Sequence, residues 1–370
     1  MSGNGFMGFR LPKVENRALK YGYSNARVRA MRGLLLRTSA LDELIRVGTI
    51  EGMVELLQRT GYKNDLSGAG ISYAGSALIE TAASRNFSRT VRKLIRITPE
   101  SDRMALKALL IRWDLLNIKT MMHAKRIGRS YEEVRPHLFE VGGLSEDDFR
   151  RIMKADPGNL LKELRRTELG RKMLSMSAGK LNRQMKESFS NAFRSLDTFM
   201  QMESVTDAYM FIFMDEALAE SGGKEMESVR SILRREIDAK NVMIIERLKK
   251  HSSSREKILG TLIHGGTLGD QLIGRLIEAK DLNATLGIIR SKFPQLDTKD
   301  KLTLAELEIA LEKSIAAQKV LAFHRAILSA GVIIGFLLLK EEEINNLRKI
   351  AKGKEFGMSE QEVRSMLVVV

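Results

Sequence analysis

Apolar residues recur at three- and four-residue spacing along almost the whole chain, with few β-branched alternations and only 5 prolines in 370 residues. That period belongs to helices with one buried face, so the pattern predicts an all-α protein. After a loose start, the first helix is expected from Ser24 toward Leu36, with Val28, Met31, Leu34 and Leu35 on one face and Arg27, Arg29 and Arg32 on the other. Short helices at 41–47 and 51–59 follow, separated by Gly48 and stopped by Gly61. Two long helices come next, one beginning near Ser76 and one spanning 100–127, with Pro99 at the start of the second and Gly128 at its end.

This order then repeats. A polar helix start is read four times, as Ser24-Asn-Ala-Arg27-Val28-Arg29, Ser130-Tyr-Glu-Glu133-Val134-Arg135, Ser253-Ser-Arg-Glu256-Lys-Ile258 and Ser359-Glu-Gln-Glu362-Val363-Arg364. In the last three a Ser precedes a Glu by three residues, which is the capping-box pattern; each copy is expected to open a helix. The copies lie about 106, 123 and 106 residues apart, a period long enough to mean modules and not a short solenoid repeat.

After the Gly142-Gly143 break, short helices at 145–155 and 158–166 and long ones at 181–220 and 225–250 are expected. After Gly265-Gly266 the same sequence of elements reads 268–279, 282–290, 301–329 and 332–352, with Gly353 and Gly357 ending the last. The expected organisation is an N-terminal segment at 1–24, then helical modules at 25–130, 131–254 and 255–370, the last including a closing helix. Three similar modules set about an axis would have pseudo-threefold symmetry.

Charge alters this picture by suggesting a partner. The formal net charge of +15 and pI near 9.9 point to an anionic one, whether nucleic acid, lipid surface or acidic protein. There is no cysteine, hence no disulfide framework or thiolate metal site. The Gly-rich start lacks the basic and apolar regions of a signal peptide, and the longest apolar run, 326–339, is too short to cross a bilayer and reads as a buried helix.

No catalytic set emerges. Gly222-Gly223-Lys224 runs into Glu225 and follows no strand, so it is a turn and not a phosphate loop. The five histidines are scattered without metal-ligand spacing, and Glu146-Asp147-Asp148 fits the first turn of a helix. Neither a catalytic residue, a cofactor nor a metal is expected.

What repeats is polar and structural. Asp114-Leu-Leu-Asn117-Ile118 is matched by Asp238-Ala-Lys-Asn241-Val242, and Glu341-Glu-Glu343-Ile344 keeps the apolar spacing with Glu in place of Asn. These residues either bond backbone at buried seams between modules or line a surface that touches a partner. Lys125 and Arg126, then Arg247 and Lys250, then Arg348, Lys349 and Lys352 fall at the ends of long helices, where the dipole favours cations. Collected about an axis, those ends would also make a positive rim. On charge and repetition alone, the candidate partner contacts are therefore Asp114, Asn117, Lys125, Arg126, Asp238, Asn241, Arg247, Lys250, Glu343, Arg348, Lys349 and Lys352.

The chain resembles a known family through Tyr21-Gly-Tyr23-Ser-Asn-Ala-Arg27-Val28-Arg29, Trp113-Asp114-Leu-Leu-Asn117-Ile118-Lys119 and Glu343-Ile344-Asn-Asn-Leu347-Arg348-Lys-Ile350. It is similar to the C subunits of archaeal A-type and bacterial V/A-type ATP synthases, the counterparts of the d subunit of the eukaryotic vacuolar proton pump. The resemblance implies a funnel of three helical lobes and no active site. It also implies two partners in ATP-linked proton or sodium transport, the central shaft and the membrane proteolipid ring, with the protein peripheral on the cytoplasmic face of the cell membrane. The rival reading is a basic helical-repeat protein that binds nucleic acid. It is disfavoured because aromatics are only 6% of the chain and leave little to stack on bases.

Overall fold

The structure, a computed structural model, describes residues 13–156, 159–175, 199–221, 224–293, 296 and 302–368. Among them all regular structure is helical. Helix α1 is Lys13–Arg32; short helices α2 (Thr38–Arg46), α3 (Ile50–Leu57) and α4 (Lys63–Ala69) lead to the first long pair, α5 (Gly75–Ile97) and α6 (Glu100–Arg126). After α7 (Tyr131–Val134), which runs on into the 3-10 turn Arg135–His137, come α8 (Glu146–Lys154), α9 (Leu160–Arg166) and α10 (Glu168–Ser175). The second long pair is α11 (Phe199–Ser221) and α12 (Lys224–Lys250). Helices α13 (Arg255–Thr261), α14 (Asp270–Glu278) and α15 (Leu282–Ile289) precede the third pair, α16 (Leu304–Arg325) and α17 (Ala330–Glu355), and α18 (Glu360–Met366) follows.

The six long helices close a ring. The second helix of each pair packs along the first of the next: α6 on α11, α12 on α16, and α17 back on α5. The apolar stretch at the start of α17 is buried, with Val332, Ile333, Ile334, Phe336, Leu337 and Leu338 each at most 2% exposed. Helix α17 therefore reads apolar nearly all round because it is enclosed on several sides. One core joins α1 through α8 to α11 and α17, and a second joins α12 to α14, α15 and α16.

Two of the three seams of the ring lie between consecutive pairs, whereas the seam between α17 and α5 joins the last pair to the first. Helix α1 straps it. Asn25 exchanges two hydrogen bonds with the backbone of Ser329, its Nδ2 donating at 3.2 Å and its Oδ1 accepting at 3.1 Å. The Ser24 hydroxyl donates to the Ile97 carbonyl at 2.7 Å, and the Tyr21 hydroxyl to Asp102 Oδ2 at 2.8 Å. The strap thus holds the turn of the third pair to the turn of the first.

Ser24 therefore lies inside a helix and caps none, contrary to expectation: its hydroxyl is drawn to the opposite turn, and α1 begins earlier. The capping boxes of Ser130 with Glu133 and Ser359 with Glu362 are present. In the third copy the N-cap is Ser254, not Ser253, because Ser252 turns the chain with φ +51°. Ser252 occupies the register where Gly128 (φ +72°) and Gly357 (φ +65°) end the other two columns. Gly353 does not end α17; it lies inside the helix where Val363 packs against it. Helix α4 stands where Gly68 and Gly70 suggest a loop. The expected helical stretch at 181–198 and the Gly222-Gly223 turn lie outside the described residues.

Candidate functional site

Three asparagines set the frame. Asn117 Nδ2 donates to the Phe139 carbonyl at 2.6 Å and its Oδ1 accepts the Phe139 N–H at 2.8 Å. Asn241 does the same with Ile263, at 2.8 Å both ways, and Asn346 with Val368, at 2.6 and 3.0 Å. Each reaches across 22 residues, and each is at most 3% exposed. An amide side chain that pairs with one peptide unit in this way substitutes for a strand or helix bond where the backbone has neither.

Three residues before each asparagine sits an acid. Asp114 accepts from the N–H groups of Gly143 (2.7 Å) and Leu144 (3.1 Å), and Asp238 from those of Thr267 (2.7 Å) and Leu268 (3.1 Å). Glu343 holds the third such position with different partners. Its carboxylate instead accepts from the Tyr62 hydroxyl and the Leu36 N–H, both at 2.5 Å, and from Lys340. The third copy is therefore complete in Asn346, and the expected alignment of Glu343 with asparagine is corrected by three residues. The spacing Glu343-x-x-Asn346-Leu347 against Asp114-x-x-Asn117-Ile118 is the signal in the chain that marks it.

Eight residues after each asparagine a lysine closes the same unit. Lys125 donates to the carbonyls of Met153 and Ala155 (2.7 and 2.6 Å), at the end of α8, and Lys249 to Leu276 (3.1 Å), near the end of α14. Lys354 donates to Ile45 (3.0 Å) and Val47, at the end of α2. Helix α2, early in the chain, thus caps the last column as α8 and α14 cap the other two.

Where α6, α12 and α17 meet, the register-equivalent residues Arg112, Glu236 and Glu341 come together. The Arg112 guanidinium lies 3.4 Å from Glu236 and 3.4 Å from Glu341, and Trp113 Nε1 donates to Glu341 at 2.8 Å. Lys319 adds contacts to Glu236 (3.1 Å) and Glu342 (2.9 Å). Burial opposes the charge of Lys319, but Glu342 and Glu236 outweigh it and hold the ammonium above its ordinary range; Arg112 and Lys319 likewise outweigh burial at Glu236 and hold it low. Glu341 is raised, because burial dominates there.

Around this knot opens a cavity of about 760 Å³. Its exposed wall is mostly apolar and includes several methionines, with Met210, Phe211, Met243, Leu311, Ile315 and Met358 set among charged side chains. Phe356 lies at its edge, 73% exposed. Glu80 also lines it, 1% exposed, with His137 Nδ1 at 2.5 Å, Lys352 at 3.3 Å and Arg348 at 3.7 Å. The polar groups of the cavity thus largely satisfy one another. No cluster able to hold a metal occurs among the described residues.

The expected contact residues fall into two sets. Asp114, Asn117, Asp238, Asn241 and Glu343 are buried on backbone or neighbouring side chains, Lys125 is a bolt within its unit, and Arg348 lies half-buried between Glu80 and the Phe139 ring. Arg126 and Lys250 are exposed, and Arg247 is exposed and pairs with Glu308 at 2.9 Å. Lys349 and Lys352 are part-exposed on the cavity wall, paired with Glu312 and with Glu80 and Glu355.

Replacing Asn117, Asn241 or Asn346 with Ala is expected to destabilise the fold by about 2 kcal/mol each, since an N–H and a carbonyl lose their partner in a buried place. Urea unfolding of the three variants checks this, and a loss confined to one of them would break the equivalence. Asp114 supplies a pH test. Burial pushes its carboxyl from 3.8 up to about 6, against the two backbone bonds that favour the anion. The folded state then binds this proton more tightly than the unfolded state, so the contribution is greatest below the unfolded value and is lost as pH rises through about 6. From pH 5 to pH 7, wild type is expected to lose about 1 kcal/mol more than Asp114→Asn, measured by denaturant midpoints.

Comparison with known proteins finds relatives along nearly the whole chain. The chain is 26% identical over 370 residues to the C subunit of an A-type ATP synthase from Methanosarcina barkeri, covering 97% of this chain and 95% of the relative. The C subunit of a V-type ATP synthase from Deinococcus radiodurans is 25% identical, covering 93% and 90%. Another A-type C subunit, from Methanocaldococcus jannaschii, is 25% identical and covers 94% and 86%. The family model described as ATP synthase (C/AC39) subunit matches residues 24–366, and on that match the chain belongs to the ATP synthase (C/AC39) subunit family.

Proposed function

We propose that this chain is a non-catalytic central-rotor subunit of an A/V-type ATP synthase, peripheral to a membrane complex. In this reading it seats the tip of the central shaft in the axial cavity and rests its other end on the membrane proteolipid ring, on the cytoplasmic face, during ATP-driven or ATP-producing transport of protons or sodium. One observation carries it: a closed ring of three equivalent helix pairs surrounds an apolar, methionine-lined opening whose ionisable groups are already paired. Such an opening suits a helical tip better than a reacting small molecule, because methionine adapts to a large apolar face. Among the described residues no helix is long and apolar enough to cross a membrane, which fits a part that sits against a ring.

The units in this reading are 25–130, 131–254 and 255–370 after the segment 1–24, with the amendment that α2, from the first, caps the third. Arg126, Arg247 and Lys250 at the column ends, and Lys349 and Lys352 on the cavity wall, are the proposed contacts that remain accessible. The test is co-purification with shaft and ring proteins, comparing wild type with Phe356→Asp. Because Phe356 is exposed, the variant should keep its helicity while shaft capture falls at least tenfold, roughly 1.4 kcal/mol. Full capture by the variant would remove the cavity as the socket. A wild-type chain that binds neither partner would remove the function.

A further inference from the structure

A second cavity, of about 610 Å³, lies between the end of α1 and the third helix pair, away from the first. Its walls come from the end of α1 and the following loop (Arg29, Arg32, Leu36, Arg37) and from the third pair (Val320, His324, Leu339, Glu343). Three guanidinium groups therefore share one cleft, and among the described residues none of them forms an ion pair with a carboxylate. The cleft's one acid, Glu343, has both oxygens taken by Tyr62, Leu36 and Lys340. Arg29 reaches only the Ala326 carbonyl, at 3.4 Å.

Arg32 has a more telling partner. Its Nη2 lies 2.8 Å from His324 Nε2, and its guanidinium stacks 4.8 Å from the centre of the Phe323 ring. A guanidinium only donates, so His324 Nε2 is the acceptor of this bond. An arginine that bonds an imidazole nitrogen and stacks on a ring face meets no carboxylate, so it is oriented but not neutralised. The charge of the cleft is unbalanced, and a small, multiply charged anion is its natural complement.

We propose that this cleft binds a phosphate-type oxyanion, held by Arg29, Arg32 and Arg37. The anion ties the end of α1 to the loop that leads into α2, within the cleft that these segments form with the third helix pair. Tetrahedral oxyanions with several oxygens suit guanidinium forks that share one cleft, whereas no Phe, Tyr or Trp lines the cleft for a base to stack on. Two sources share this chemistry, free inorganic phosphate and the headgroup of an anionic phospholipid.

The test uses the full chain at fixed ionic strength. Calorimetric titration and thermal unfolding are run with sodium phosphate against chloride, and flotation with vesicles of phosphatidylcholine containing phosphatidic acid. Saturable phosphate binding with a raised unfolding temperature is expected. The double variant Arg29→Gln/Arg37→Gln, both positions exposed, should keep its far-UV spectrum and lose affinity at least tenfold. Lys107→Gln/Arg59→Gln, which removes two exposed charges outside the cleft, should bind as wild type does. Binding of phosphate alone assigns the free ion, and binding of vesicles alone, sensitive to the cleft variant, assigns the headgroup. Absence of both, or equal loss in both double variants, would overturn the site.

Discussion

Gly142→Ala and Gly266→Ala are each expected to cost about 3–5 kcal/mol, more than surface loop glycines would suggest. A Cβ at Gly142 would lie 2.3 Å from Asp114 Oδ2, and one at Gly266 2.2 Å from Asp238 Oδ1. Neither carboxylate can swing aside cheaply, because each is at most 3% exposed and already holds two backbone N–H groups of the turn that contains the glycine. The methyl therefore forces the acid out and leaves those groups unsatisfied. Denaturant unfolding measures the loss. In Asp114→Ala/Gly142→Ala the methyl meets no carboxylate, so the double variant should be more stable than the two single losses added together. Strict additivity would show that the close approach is not what the glycine protects.

Lys319→Met is expected to be of similar size, about 3–5 kcal/mol at neutral pH. Lys319 is 6% exposed and serves Glu236 and Glu342 at once; without it part-buried Glu342 loses its cation, and Glu236 is left with Arg112 alone. Adding Glu342→Gln should recover a large part of the loss, since the uncompensated anion is then gone. Failure of that rescue would mean that the knot is held by packing and not by charge. The knot matters because it joins columns α6, α12 and α17 at one point, so the variant should also loosen their mutual register, seen as faster hydrogen exchange along all three.

The helical class, the tall pairs and most of their ends were legible from apolar spacing, because a helix that packs on its neighbours must carry its core face every three or four residues. Asp114, Asn117, Asp238 and Asn241 were legible as a repeat, and the structure places them on backbone at buried turns. What stayed hidden depends on distance in space. Ser24 has the look of a cap, but its partner is the carbonyl of Ile97. Lys125 reads as a rim cation because nothing local shows that the end of α8 stands within reach, and nothing local brings Lys354 to the end of α2. The meeting of Arg112, Glu236 and Glu341 was equally invisible, as three residues of two opposite charges in one register do not announce themselves as a repeat.

The strap of α1 has a mechanical consequence. In a collar carrying torque, tension runs around the circumference and must cross every joint in turn. At the joint between α17 and α5 the load passes through a handful of side-chain links, Asn25 to Ser329, Ser24 to Ile97 and Tyr21 to Asp102, in parallel with helix contact. On the proposed function the part is a split washer, its last joint held by a clip as well as by helix contact.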